Sequence, residues 1–76
     1  VSFPKSASRK RGVGRALLHS FVHYCKTLTC TEIFLEVRVS NRGAQRLYES
    51  ESFKKIGERP GYYANGEDAL TMHKEI

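Results

Sequence analysis

Arg9-Lys10-Arg11-Gly12-Val13-Gly14 sets three cations beside two glycines where a helix is expected to begin, with Arg15 following directly. Glycine lets the backbone approach a ligand closely, and the first N–H groups of a helix, reinforced by its dipole, attract anions. A pyrophosphate suits that combination, although a glycine pair also marks an ordinary tight turn. The Gly-Lys-Ser/Thr ending of a P-loop is missing, as are the third glycine and downstream acid of a dinucleotide-binding fingerprint.

Further along, Glu36 interrupts the mostly apolar stretch Glu32 to Val39, where an unpaired carboxylate would be costly to bury. It is either satisfied by water or a nearby arginine, or it serves as a general base for an incoming ammonium. Tyr48 stands one turn past Ala44, where its ring can simply pack on a sheet; its phenol, with an ordinary pKa near 10, could also protonate a leaving thiolate. Asn41 reads first as a helix N-cap. Tyr62 and Tyr63, in a glycine-containing connection, either pin a hairpin or line a peptide groove, and Glu67 and Asp68 either anchor that loop or attract an ammonium.

His19 and His23 are four residues apart and could share a helix face, but Ser20 stands where a zinc protease motif has Glu and no third ligand is evident. No metal is expected. Cys25 and Cys30 are too few for a disulfide framework and lack the second pair of a zinc site, so reduced thiols and a cytoplasmic location are expected.

The 76 residues are 39% apolar, carry a net charge of +5 and contain no apolar run long enough for a membrane helix. One small domain is expected, burying only about 60% of the surface of its unfolded chain. The charge is uneven: up to residue 31 there are six bases and no acid, whereas the remainder holds seven bases against eight acids. A local positive field around a glycine pair fits a phosphate-bearing small molecule. A nucleic-acid binder is disfavoured, because no aromatic residues are interleaved with the basic cluster as a stacking platform.

These residues need elements to hold them. Residues 1–3 can end a strand and residues 4–8 read as loop. Apolar and small residues at Val13, Ala16, Leu17, Phe21, Tyr24 and Leu28 predict a helix over 12–27. Residues 32–39 have the composition of a strand covered on both faces in a parallel or mixed sheet. Ser40 and Asn41 cap a short helix over 42–50, and residues 53–59 and 69–74 read as strands joined by the turn-rich segment 60–68. The fold class is α/β, with a mixed sheet of three to four strands and two helices.

The blocks come in a specific order: R-x-x-G-x-G before R-A-L-L, Leu35-Glu36-Val37-Arg38-Val39-Ser40-Asn41, Ala44, Leu47-Tyr48-Glu49, Phe53-Lys54-Lys55, and Tyr62-Tyr63-Ala64-Asn65-Gly66-Glu67-Asp68-Ala69 with Met72. From about Arg9 to the C-terminus this succession resembles the GNAT superfamily, in particular its protein N-terminal acetyltransferases, including the bacterial ribosomal-protein alanine acetyltransferases and their archaeal relatives. The resemblance implies a partial GNAT fold and acetyl-CoA as co-substrate. By the same likeness Arg9, Lys10, Arg11, Gly12, Val13, Gly14 and Arg15 would hold the pyrophosphate, and Asn41 would also touch acetyl-CoA. Glu36 would be the base, Tyr48 the acid, and Tyr62 and Tyr63 would flank a protein or peptide N-terminus, with a ribosomal protein among the candidates. No covalent enzyme intermediate is expected.

Against the family, the chain reads as the C-terminal half of a domain twice its length. A missing N-terminal half, or self-association through exposed strand edges, would complete it. Pro4 stands farther from Gly12 than the family pattern has it. Ser52 follows the second helix where relatives often carry Gly or Asn, which would cost on the order of 1 kcal/mol if its φ is positive.

Overall fold

A computed structural model describes the chain from residue 11 to residue 76, with side chains from Gly14 onward. Five elements follow one another: α1 (Arg11–Thr27), β1 (Glu32–Arg38), α2 (Arg42–Ser50), β2 (Lys54–Arg59) and β3 (Ala69–Glu75). The sheet order is β1-β3-β2. Both pairings are antiparallel, with Leu35 opposite Met72 and Glu36 opposite Thr71. The strand expected over residues 1–3, which would have made the sheet mixed, lies outside the described residues.

Both helices lie on one face of this sheet. Leu18 and Cys25 of α1, Ile33, Leu35 and Val37 of β1, Tyr48 of α2, Met72 of β3, and Phe53, which precedes β2, form the buried core. Burial along β1 therefore alternates: Ile33, Leu35 and Val37 are sealed, while Glu32, Phe34, Glu36 and Arg38 are half-buried. The composition predicted cover on both faces. With α1 and α2 on the same side, the described residues seal only one, and Glu36 falls on the other.

The two helices end alike. After α2, the Ser52 N–H donates to the Glu49 carbonyl at 3.0 Å and the Phe53 N–H to that of Tyr48 at 2.9 Å, with Ser52 at φ 70°. After α1, Thr29 and Cys30 donate to Lys26 and Cys25 at 3.1 and 3.0 Å, with Thr29 at φ 61°. These are Schellman terminations, in which glycine is usual at the left-handed position. The positive φ anticipated at Ser52 is present; the one at Thr29 was not foreseen.

β2 is exposed and charged, with Lys54, Lys55, Glu58 and Arg59, and its register shifts between Lys55 and Gly57. Charge and an irregularity blunt this sheet edge against pairing. No helix among the described residues is long and apolar enough to cross a membrane.

Candidate active site

The half-open face of β1 carries Glu36 and Arg38, two residues apart and hence on the same side of the strand. The β2–β3 connection folds back onto them. Tyr62 donates its hydroxyl to Glu36 Oε1 at 3.2 Å. This answers what satisfies the carboxylate among the described residues: a phenol from 26 residues downstream, not an arginine. Burial, then the negative charge of Glu36 and the hydrogen bond to it, pushes the Tyr62 phenol above its ordinary pKa. Its ring meets Tyr63 edge-on, with centroids 5.1 Å apart.

Arg38 serves the same connection. Its guanidinium lies 3.9 Å from the Tyr63 ring centroid, 3.1 Å from Glu67 Oε1 and 3.3 Å from Asn65 Oδ1. Burial raises the Tyr63 phenol, opposed by the Arg38 charge. Glu67 Oε2 accepts the Ser40 N–H at 2.9 Å, and the Ser40 hydrogen bonds, followed by Arg38, hold its carboxyl below the usual range. Asp68 accepts the Gly61 N–H at 2.9 Å, closing the loop on itself, with Gly61 and Gly66 at φ 60° and 87°. The two acids left open between anchor and ammonium trap are thus anchors, and their engaged oxygens are the reason.

The turn after β1 is equally fixed. Asn41 Oδ1 accepts the Ala44 N–H at 3.0 Å, the N-cap expected from its type. Gln45 donates to the carbonyls of Arg38 and Val39 at 3.1 and 2.9 Å. Among the described residues the Asn41 amide nitrogen is left without an acceptor, so it could still donate to a ligand.

Tyr48 is 2% exposed, its ring edge-on to Phe53 at 5.9 Å. Ring packing, one of its two sequence readings, is therefore realised. Glu36 and Tyr48 lie on opposite faces of β1, so the structure does not bring them together; a group served by both would have to pass the strand's edge.

Of the basic cluster, Arg9 and Lys10 lie outside the described residues. Arg11, Gly12 and Val13 form the start of α1, followed by the buried Gly14. The first turn of α1 contains no acid, which leaves its N-terminal field favourable to an anion. Arg15 is engaged elsewhere: its guanidinium sits 2.6 Å from Glu51 Oε2 and 3.4 Å from Ser50 Oγ. His19 bonds the other Glu51 oxygen at 2.5 Å. These pairings hold α1 to the end of α2 and account for one of the two helical histidines. Both cysteines are free thiols, and burial raises the Cys25 pKa, with Cys30 adding to it.

Sequence reasoning missed Arg38 and Ser40 as site residues. Only the alternation that places Arg38 beside Glu36 could have indicated the first.

Comparison with known proteins supplies the remaining findings. The family model described as Acetyltransferase (GNAT) family matches residues 5–53. An N-alpha-acetyltransferase of Saccharolobus solfataricus is 44% identical over 69 residues, 90% of this chain and 41% of the relative. A putative [ribosomal protein bS18]-alanine N-acetyltransferase of Bacillus subtilis is likewise 44% identical, over 90% of this chain and 46% of its own. The crystal structure of Arabidopsis thaliana NAA60 in complex with acetyl-CoA superposes with a TM-score of 0.75 at 31% identity, covering 90% of this chain and 41% of that one. The chain thus spans less than half the length of the relatives it matches.

Proposed function

The chain belongs to the GNAT acetyltransferase family, and on that premise we propose that it carries the base, the acid and part of the cofactor site of an enzyme that acetylates protein or peptide N-terminal amines. The observation that carries this reading is the Glu36–Tyr62 pair on the half-open face of β1, under a loop locked by Arg38 and Glu67. A carboxylate presented with a phenol on an accessible strand face can take a proton from an ammonium, directly or through water. Names of relatives that act on N-terminal amines, ribosomal protein bS18 among them, support the acceptor class.

Acetyl-CoA, the co-substrate, supplies the acetyl thioester. The acid-free first turn of α1, with Gly12, Val13 and Gly14, suits its pyrophosphate, with Arg9, Lys10 and Arg11 as cationic partners. Asn41 offers its amide nitrogen. Arg15, half exposed and paired with Glu51 through one guanidinium nitrogen, keeps further N–H donors that can turn to the pyrophosphate. Glu36 accepts the proton released by the ammonium, and Tyr48 returns one to the thiolate, so the amine attacks directly without a covalent enzyme intermediate. Tyr62 and Tyr63 flank the acceptor. Free Cys25 and Cys30 suit a cytoplasmic site of action.

Calorimetric titration of the 76-residue chain with acetyl-CoA tests the cofactor half of this reading. Saturable binding, weakened by Arg11→Ala, is expected; a folded chain that binds no acetyl-CoA refutes it. A second reading is a cofactor-binding half that turns over only when complemented; the match spans 41% and 46% of the two N-acetyltransferase relatives named above. Binding without turnover, restored by adding the remaining half of a relative, is its signature.

A further inference from the structure

We propose that Arg38 and Glu67 are positioning residues for the acceptor: their ion pair holds the Tyr62–Tyr63 loop over Glu36. This rests on the reading of Glu36 as base and of the two tyrosines as the acceptor's walls. The loop's internal bonds, Asp68 to the Gly61 N–H, the Tyr63 N–H to the Glu67 carbonyl and the Gly66 N–H to the Tyr63 carbonyl, shape it without fixing it to the sheet. The described ties to β1 and the turn after it are few. Tyr62 meets Glu36, the Val39 and Ser40 N–H groups reach Asp68 and Glu67, and Arg38 grips Tyr63, Asn65 and Glu67 together.

Arg38 is the element of that set that touches three loop residues at once. A planar guanidinium is needed for this, because stacking on the Tyr63 ring and bonding two oxygens in its plane are geometries an ammonium cannot combine. Glu67 is 18% exposed and Arg38 40%, so the pair is partly shielded from water and its charge-assisted bond is stronger than that of a fully solvated pair. Glu67 also takes the Ser40 N–H, next to the Asn41 cap, so one carboxylate fixes both the acceptor loop and the turn on the cofactor side.

The experiment uses ring-labelled tyrosine in the 76-residue chain, with signals assigned through Tyr62→Phe. Three variants are compared: Arg38→Met, Arg38→Lys and the isosteric Glu67→Gln. Loss of the Arg38 cation by itself would raise the Tyr62 midpoint, whereas release of Tyr62 from burial and from Glu36 lowers it, so a fall in Arg38→Met reports loop displacement rather than a lost neighbouring charge. The Tyr62 midpoint is expected to fall toward an ordinary tyrosine in Arg38→Met and Glu67→Gln, with partial recovery in Arg38→Lys. An acceptor peptide, titrated in the presence of CoA, is expected to bind about tenfold more weakly to Arg38→Met, the loss of one charge-assisted hydrogen bond. An unchanged Tyr62 midpoint in folded Arg38→Met and Glu67→Gln overturns the positioning role. A fallen midpoint with unchanged peptide affinity, or no peptide binding by the unsubstituted chain, overturns the acceptor role of Tyr62 and Tyr63, so the two failures are told apart.

Discussion

Replacing Ser52 by glycine should stabilise this domain, and the size of the effect follows from the backbone. Ser52 sits at φ 70° in the left-handed position after α2, where its N–H and that of Phe53 satisfy the last carbonyls of the helix. A residue with a Cβ pays roughly 1–2 kcal/mol for that conformation. Glycine avoids this cost but loses about 0.5–1 kcal/mol through the greater freedom of its unfolded chain. The net gain is about 0.5–1 kcal/mol, a rise in Tm of roughly 2–8 °C for a domain this small. Thr29, at φ 61° after α1, should behave alike, and the double glycine variant should be additive to within about 0.5 kcal/mol because the hydrogen bonds that end α1 and α2 involve different residues. Ser50→Gly, two residues away but inside α2, should instead lose about 0.5 kcal/mol. Thermal and urea unfolding followed by circular dichroism measure all four. If Ser52→Gly fails to raise Tm, or falls in step with Ser50→Gly, the left-handed termination is not what ends α2. The point bears on function, since the same motif seats Tyr48 against Phe53.

Tyr48→Phe keeps the buried ring, so stability should change by less than about 1 kcal/mol while the acetylation rate falls roughly 10²- to 10⁴-fold if the hydroxyl is the acid; an undiminished rate removes that role. Tyr48→Ala should cost about 3–5 kcal/mol, much of the stability of a small domain, and tests packing alone. Tyr62 and Tyr63 hold their protons above the ordinary value of 10.0, so the stability they confer is complete below that pH and is lost as pH rises through their folded pKa values. Urea midpoints measured on the alkaline side should decline less steeply in the Tyr62→Phe, Tyr63→Phe variant, and equal slopes would exclude that contribution. Glu67 gives the mirror case: its contribution is present above the ordinary carboxylate pKa and is lost as pH falls, so Glu67→Gln should flatten the acid limb of the same profile.

Residue order alone determined most of the scaffold. Helical spacing placed a helix over 12–27 where α1 runs Arg11–Thr27, the Asn41 cap placed one over 42–50 as observed, and the three strands among the described residues lie within a residue of their expected ends. These signals survive because they act within one or two turns of chain: a side chain three residues from a free N–H, or an apolar residue every third or fourth position. The family, too, was legible, in the succession of short blocks from Arg9 to Met72.

Tertiary structure decided what those residues meet. Arg15 reads from the sequence as a phosphate contact alone; the structure adds Glu51, 36 residues away, as a partner. Glu36 finds Tyr62 only because the antiparallel register of β1 and β3 returns the 60–68 loop to the same end of the sheet. Arg38 gains its three partners for the same reason. β1 looked covered on both faces because its composition is apolar, yet a sheet face is sealed only where elements pack on it, and both helices chose one side. Local pattern fixes which way a side chain leaves the backbone; what receives it depends on crossovers and register, which no short window of sequence contains.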